Sequence, residues 1–335
     1  MLEQSSLTLK DIGEKGLLAR LQRFCPPDVI GDDAAVITVK PGQSLVVTTD
    51  MLVDNVHFSD RTTSFEDAGW RAAAANLSDL AAMGASPLGI TVALGLPGDT
   101  HVSSVEQLYQ GISGCLQKYN TAIVGGDVCF SATITVSITA FGAVAPAQII
   151  RRAGAQVGDA IVVTGVHGAA RAGLELLMHP ESCSNLSQES RQKLIQAHQR
   201  PQPRLDALPI LWATLRSPLH VAGMDSSDGL ADAVVQLCQI SGVGAKIERD
   251  CIPIAPEVHS WASQHALEWA LYGGEDFELV LCLPLVVASQ FVKNLGQDAA
   301  IIGEVTNEKG VVRLIDRTGK NPAQILNLSR GFQHF

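Results

Sequence analysis

The chain places acidic side chains repeatedly at one kind of position, where an apolar, strand-like run meets a glycine turn or a helix start. They are Asp32 and Asp33 in VIGDDAAVI, Asp50 in VVTTD, Asp127 in IVGGDV, Asp225 and Asp228 in AGMDSSDGL, and Glu275 and Asp276 in YGGEDFELV. Asp79, in NLSDLAAMG, lies late in an Ala-rich run instead. A carboxylate beside a buried strand is costly unless it is paired, hydrogen-bonded or holding a metal. Taken singly, each motif reads better as a turn or a cap, because Asp before Gly favours turns and Asp or Ser opens helices. Asp79 resists that reading, since a carboxylate late in a helix caps nothing. Taken together, the sites carry far more Asp than Lys or Arg, and the 24 basic residues of the chain are spread thinly. Magnesium prefers oxygen ligands, usually a few carboxylates, waters and substrate phosphates, so a shared Mg²⁺ cluster accounts for the set.

Strand geometry narrows which groups cooperate. Alternation puts Thr48 and Asp50 on one face of SLVVTTD and sends adjacent Asp32 and Asp33 to opposite sides, so only one of that pair reaches a common cluster. The helix predicted after MDSSDGL offers free N–H groups at its start, a natural phosphate cradle. There is neither a GxxxxGK[ST] loop nor a GxGxxG after a strand, so a nucleotide would be held without a P-loop or a Rossmann fingerprint. Downstream of Asp50 lie Asp54, to which no role is assigned, and His57 between Val56 and Phe58, which taken without its motif reads as a core histidine.

These residues need strands and helices to hold them. Strands are expected at AAVITV, SLVVTTD, GITVALGL, TAIVGGD and ATITVSITAFGAV, with helices from about Phe65 to Met83 and from about Val102 to Lys118. APAQ, residues 145–148, marks a domain boundary, giving residues 1–147 and 148–335. Beyond it come a strand at AIVVTG, two helices flanking HPESCSNLSQES, and a proline-punctuated loop at RPQPRL. A strand at HVAGMD, a helix at GLADAVVQLCQI, and strands at DFELVLCLP and AAIIGEV follow. Alternating strands and helices give an α/β or α+β class.

With 335 residues, 46% hydrophobic and 17% charged, the chain has the composition of a globular protein of about two domains. A net charge of −10 without any Lys/Arg block sets aside a nucleic-acid binder. Seven scattered cysteines without ligand spacing suit reduced thiols in the cytoplasm. The amino terminus lacks signal-peptide regions, and the longest apolar run is too broken to span a membrane.

GDDAAV, TTDMLVDNVHF, NLSDLAAMGA, GGD, RRAGAQVGD, SSDGL and GGEDFEL stand in the order and approximate spacing of the thiamine-monophosphate kinase family. The chain resembles that family from about Ile30 to Phe332. The family shares a superfamily with aminoimidazole ribonucleotide synthetase and selenophosphate synthetase. The resemblance implies ATP-dependent phosphorylation of thiamine monophosphate to thiamine diphosphate. It also implies a homodimer built on the sheet of an amino-terminal α/β domain, and a carboxy-terminal α+β domain, with ATP and several Mg²⁺ ions in the cleft between domains.

By the same resemblance the metal ligands are Asp33, Thr48, Thr49, Asp50, Asp79, Asp127, Asp225 and Asp228, of which Asp50, Asp127 and Asp228 are expected to matter most for catalysis. Tyr109, Gly126, Arg152 and Ser227 match ATP contacts; His57, Glu275 and Phe332 match positions near the thiamine phosphate. Each has a bland rival: Arg152 as a surface charge beside Arg151, Phe332 as a seal on the core, Glu275 as a neighbour of the metal site. Two departures from the family pattern are Ser226, where an aliphatic residue is usual, and Val128, where Thr is frequent.

A phosphate-monoester acceptor, with a second pKa near 6, is already largely ionised and needs no general base. The barrier is repulsion between anions, roughly 4 kcal/mol for each unit pair at 4 Å in an effective dielectric of 20. Direct in-line transfer follows, since no side chain is set up as a nucleophile. Rival readings are a superfamily enzyme acting on another substrate and a catalytically silent nucleotide-binding protein. The reactive amino-terminal cysteine of selenophosphate synthetases has no clear counterpart, because the first cysteine is Cys25 beside Pro26. The terminal cysteine of the hydrogenase-maturation relatives is replaced by Gln-His-Phe.

Overall fold

The computed structural model describes residues 7–27, 29, 34–183, 186–215, 221–296 and 298–331. Two compact units divide the chain, the first made of residues 1–80 and 85–144, the second of residues 81–84 and 145–335.

In the first unit, α1 (Leu9–Leu21) precedes β1 (Ser44–Val53), α2 (Phe65–Ala82), β2 (Ser86–Leu96), α3 (Val102–Lys118), β3 (Ile123–Phe130) and β4 (Thr135–Val144). The strands form one sheet in the order β1-β4-β2-β3, so β1 and β3 are its two edges. One face is dry: Val92, Leu94, Val136 and Ile138 are buried there, along with the apolar stripe Val105, Leu108, Ile112 and Leu116 of α3. The other face is open, and β1 presents Leu45, Val47 and Met51 on it, each 50–54% exposed.

The expected strand AAVITV does not form. Residues 35–40 carry no ladder, and Val36 is 91% exposed, because within one chain this alternating segment has no layer to bury its apolar side against.

Two glycines set how closely α2 and α3 cross. A Cβ on Gly69 would lie 1.9 Å from the carbonyl oxygen of Leu108, and one on Gly111 would lie 1.7 Å from that of Glu66. The obstacle is backbone, which cannot rotate away. Gly111→Ala should therefore cost at least the ~1–3 kcal/mol typical of overpacking, read as a lowered urea midpoint. An unchanged midpoint would mean that the helices separate freely.

The second unit contains β5 (Asp159–Val163), α4 (Ala169–Met178), α5 (Gln188–Gln199), α6 (Ala207–Thr214), β6 (Ala222–Asp225) and α7 (Leu230–Ser241). It continues with β7 (Gly244–Glu248), α8 (Pro256–Tyr272), β8 (Leu279–Pro284), α9 (Leu285–Leu295), β9 (Ala300–Thr306), β10 (Val312–Ile315) and β11 (Gln324–Leu326). Its sheet runs β11-β10-β7-β9-β5-β8-β6, antiparallel except where β10 pairs with β7. Ile161 and Val163 of β5 enter one core with α7, whereas Ala160 and Val162 enter a second with α6 and α9. Burial on both faces explains why AIVV and LVLCL read as continuous apolar runs.

Candidate active site

In the first unit the site begins at the carboxyl half of β1. Thr48 and Asp50 point to the face covered by α2, where the Thr48 hydroxyl donates a short hydrogen bond to Asp79 Oδ2. One helical turn before Asp79, fully buried Asn76 accepts the backbone N–H of Asp50 at 3.2 Å and donates to the Ala72 carbonyl at 3.0 Å. That explains a carboxylate late in α2: Asp79 meets the strand instead of capping the helix.

Thr49 goes the other way. Its side chain lies on the open face, donating to the Ile138 carbonyl at 2.9 Å and accepting from Thr139 at 3.3 Å. Period-2 alternation thus puts its hydroxyl on the face opposite Thr48 and Asp50.

Past β1 the chain folds back on itself. The Val53 N–H donates to His57 Nδ1 at 3.1 Å, so the neutral ring carries its proton on Nε2. Buried Arg71 holds the turn by donating to the His57 carbonyl at 3.2 Å. Asp54 serves through its backbone, donating to the Ile134 carbonyl at 3.0 Å.

Gly126 and Asp127 occupy the opposite edge. Register runs from Asp50 through Ile138 and Val92 to Gly126, and from Met51 through Ser137 and Ala93 to Asp127. Asp127 therefore shares the open face with Met51, three strand spacings away, roughly 14 Å. Within the first unit the sheet therefore holds Asp127 apart from Asp50 and Asp79. Gly126 is fixed sterically, since a Cβ there would lie 2.2 Å from the Val92 carbonyl. Tyr109 is buried in α3 with its ring 5.6 Å from that of Phe24, and desolvation raises its hydroxyl pKa. Its ring packs in the core beside Phe24.

In the second unit, buried Asp225 closes β6 and accepts from the Ser227 hydroxyl at 3.2 Å. Ser226, between them, is buried and turned to His167 Nε2 at 3.1 Å. His167 Nδ1 faces the Gly165 carbonyl at 3.2 Å, and burial lowers the ring's pKa to about 4. The neutral ring donates from Nδ1 and accepts the Ser226 hydroxyl at Nε2. The departure at Ser226 is thus a satisfied internal contact.

Asp228 is exposed, and Gly229 opens α7 without a side-chain cap, leaving first-turn N–H groups available. Arg152 reaches this helix, donating to Gln236 at 2.7 Å, and Gln236 donates to Asp232 at 2.5 Å. Desolvation raises the Asp232 pKa, Asp228 adds to the rise and Arg152 opposes it, which puts all three in one electrostatic neighbourhood.

Glu275 adopts a left-handed backbone (φ 61°), donates its N–H to the Ser227 carbonyl at 2.7 Å, and places Oε2 3.6 Å from Nδ1 of buried His198. Asp276 turns inward to cap α4, accepting from Gly168 N–H at 2.7 Å and Ala170 N–H at 3.0 Å. Desolvation pushes its pKa up to about 7 against those two donors.

Asp33 and Phe332 lie outside the described residues. Asn76, His167, His198, Asp232 and Gln236 were not anticipated; Asp232 with Gln236, at i and i+4 in a helix, was the one readable pairing.

Among the described residues no three His, Cys, Asp or Glu side chains converge as a ready-made metal cage. The donors are all oxygen, two carboxylates and a hydroxyl in each unit: Asp50, Asp79 and Thr48 in the first, Asp225, Asp228 and Ser227 in the second. That composition fits Mg²⁺, which typically takes one or two carboxylates and completes its shell with water and substrate phosphate.

Residues 31–144 match the model of the AIR synthase related protein, N-terminal domain, and residues 156–316 that of the C-terminal domain. The chain is 51% identical to the thiamine-monophosphate kinase of Synechococcus elongatus, over 99% of each chain. It belongs to the thiamine-monophosphate kinase family. The family's enzyme from Aquifex aeolicus is 32% identical over 98% of this chain and 100% of its own. The solved structure of AaThiL complexed with AMPPCP and TMP superposes with a TM-score of 0.74 at 32% identity, covering 98% of this chain and 99% of that one. The hydrogenase maturation protein HypE in complex with ATP, at 18% identity and a TM-score of 0.77 over 96% and 98% of the two chains, shares the fold. Thiamine-monophosphate kinase family membership thus covers both units, each with its own domain of the pair. Among the described residues no helix is long and apolar enough to cross a membrane.

Proposed function

We propose that this chain transfers the γ-phosphoryl group of ATP to the phosphate of thiamine monophosphate, releasing ADP and thiamine diphosphate. The observation that carries the reading is full-length likeness, 51% identity over 99% of both chains, to a thiamine-monophosphate kinase. The oxygen donors at the strand ends support it.

An acceptor phosphate oxygen attacks the γ-phosphorus while the bond from that phosphorus to the β,γ-bridging oxygen breaks. The acceptor is largely dianionic at neutral pH, so no side chain has to remove a proton. Several Mg²⁺ ions, when bound, would supply the positive charge that lets the two anions approach. Thr48, Asp50 and Asp79 would hold one site, with Asp127 contributing separately. Asp225 and Asp228 would hold another, and Asp33 is assigned to the metals by resemblance.

Ser227 and the open start of α7 would receive phosphate oxygens, and Gly126 and Arg152 the nucleotide. Glu275, fixed by His198 and the Ser227 carbonyl, would face the thiazolium cation, with His57 and Phe332 near the acceptor phosphate. Thr49, on the opposite face of β1, and Tyr109, packed in the core, are assigned to metal and ATP by resemblance. Residues 1–147 would serve metal, ATP and dimerisation, and residues 148–335 the remaining ATP and acceptor contacts.

The open sheet face supports a homodimer: Leu45, Val47 and Met51 form an apolar stripe that a second copy would cover. Free thiols at the described cysteines suit a cytoplasmic enzyme.

The test is ADP release from ATP and Mg²⁺ with and without thiamine monophosphate, with thiamine diphosphate identified by mass. Release that ignores the acceptor would point to an ATPase or another substrate. No release under either condition would favour a silent nucleotide binder.

A further inference from the structure

Every polar group of Ser226 is tied to the rest of the second unit. Its N–H donates to the Glu278 carbonyl at 2.8 Å, its carbonyl accepts the Gly229 N–H at 3.0 Å, and its buried hydroxyl donates to His167 Nε2 at 3.1 Å. On either side stand Asp225 and Ser227, with Asp228 one residue further, and these are the oxygen donors assigned to Mg²⁺ and phosphate. Ser226 is therefore the point at which that turn is fastened. A shift there also reaches the next segment, because the Ser227 carbonyl accepts the Glu275 N–H at 2.7 Å.

The partner of the hydroxyl is equally constrained. His167, between β5 and α4, is wholly buried, and its N–H donates to the Pro253 carbonyl at 2.9 Å. Its Nδ1 faces the Gly165 carbonyl at 3.2 Å. A carbonyl only accepts, so Nδ1 carries the proton and Nε2 of the neutral ring is left as an acceptor. The Ser226 hydroxyl supplies the hydrogen that this nitrogen needs.

An aliphatic side chain, usual at this position in the family pattern, would not. A carbon atom in the place of the hydroxyl would need roughly 3.5–4.0 Å from the ring, so either the ring or the turn would give way. Removing one member of a buried hydrogen-bonded pair leaves the other desolvated and unsatisfied, whereas replacing both by apolar groups of similar shape is nearly neutral. Ser226 and His167 therefore depend on each other.

We infer that His167 and Ser226 are paired positioning residues, whose hydrogen bond sets where Asp225, Ser227 and Asp228 present their oxygens to Mg²⁺ and the nucleotide phosphates. Neither side chain touches the reacting atoms. The inference rests on the kinase reading for its purpose and adds to it the pair that holds the turn.

The experiment is a double-mutant cycle on the full chain, made of His167→Leu, Ser226→Val and the two combined, with Ser226→Ala as the mildest change. For each protein, calorimetry gives Kd for AMPPCP at a fixed, subsaturating Mg²⁺ concentration, and acceptor-dependent ADP release gives the half-saturating Mg²⁺, both well below that protein's thermal midpoint. Each of the two replacements alone should weaken AMPPCP binding and raise the half-saturating Mg²⁺ by roughly 10–100-fold, the scale on which losing a group that orients a metal ligand lowers metal affinity. The combined variant should recover roughly tenfold of that loss, since neither apolar side chain needs a polar partner. Losses that simply multiply in the combined variant would overturn the inference. So would lowered thermal midpoints with wild-type AMPPCP binding and Mg²⁺ dependence, which would make the pair a matter of packing alone. Ser226→Ala decides the matter if the larger replacements unfold the chain: it removes only the hydroxyl, and wild-type values in it would equally overturn the pair. AMPPCP binding by wild type without acceptor-dependent ADP release would overturn the kinase reading, and the cycle would then be read from Kd alone. No AMPPCP binding by wild type would overturn both.

Discussion

Asp50→Asn should lower acceptor-dependent ADP release by at least the roughly 10²–10³-fold seen when one preorganised electrostatic partner is removed from a transition state. The expectation follows from where the charge sits. Asp50 shares its face with Thr48, whose hydroxyl meets Asp79, on the strand end clamped by Asn76. The amide is nearly isosteric, and the hydrogen bond to Asn76 uses the backbone N–H, which the substitution keeps. What disappears is one negative charge where a divalent ion would bind, so kcat should fall while the urea midpoint stays close to wild type. Asp127→Asn should behave alike despite its place on the far edge and opposite face, because it would serve a separate site. Near wild-type turnover of both variants at saturating Mg²⁺ would sink the metal assignment.

The legibility of this site differed from residue to residue, for physical reasons. Thr48 and Asp50 were readable as a pair because strand alternation is a fixed period. The same rule turns the Thr49 hydroxyl to the other face, where it meets Ile138 and Thr139. Asp79 was recognisable as misplaced for a helix, yet its partner could not be named, since which strand a helix covers is decided by tertiary packing. Asp127 shows the limit most clearly. Its motif looks like the others, and only the strand order β1-β4-β2-β3 reveals that a whole sheet separates it from Asp50. Glu275 and Asp276 are neighbours with opposite duties, one held toward the Ser227 loop and one spent capping α4. The left-handed backbone at Glu275 and Phe277 separates them, and it is not encoded by glycine at either residue. The segment AAVITV failed for a different reason: alternation predicts a strand only where something exists to cover it.

The largest stability effect is expected at the pair Arg204 and Glu278, whose side chains are 15% and 13% exposed. Glu278 accepts from Arg204 Nη1 at 2.6 Å and from the Thr164 hydroxyl at 2.5 Å, while Arg204 also donates to the Asp206 carboxylate at 3.0 Å. Burial holds the Glu278 pKa above its ordinary value even with the guanidinium opposing it. Arg204→Met would leave that carboxylate enclosed without its counter-charge, at a cost of about 3–5 kcal/mol near pH 8. The pH dependence has a definite sign. A carboxyl whose folded pKa is raised binds its proton more tightly folded than unfolded. Stability is therefore lost as pH rises from the unfolded value, about 4.3, through the folded one. Removing Arg204 raises the folded value further, so the variant loses more, over a window reaching to higher pH, and in acid its deficit relative to wild type shrinks. Arg204→Met combined with Glu278→Gln should recover part of the loss at pH 8, because no charge remains to be buried. Urea unfolding at pH 5.5 and pH 8 measures both effects; a deficit equal at the two pH values, with no recovery in the double variant, would mean that Arg204 stabilises through packing of its stem and not through its charge.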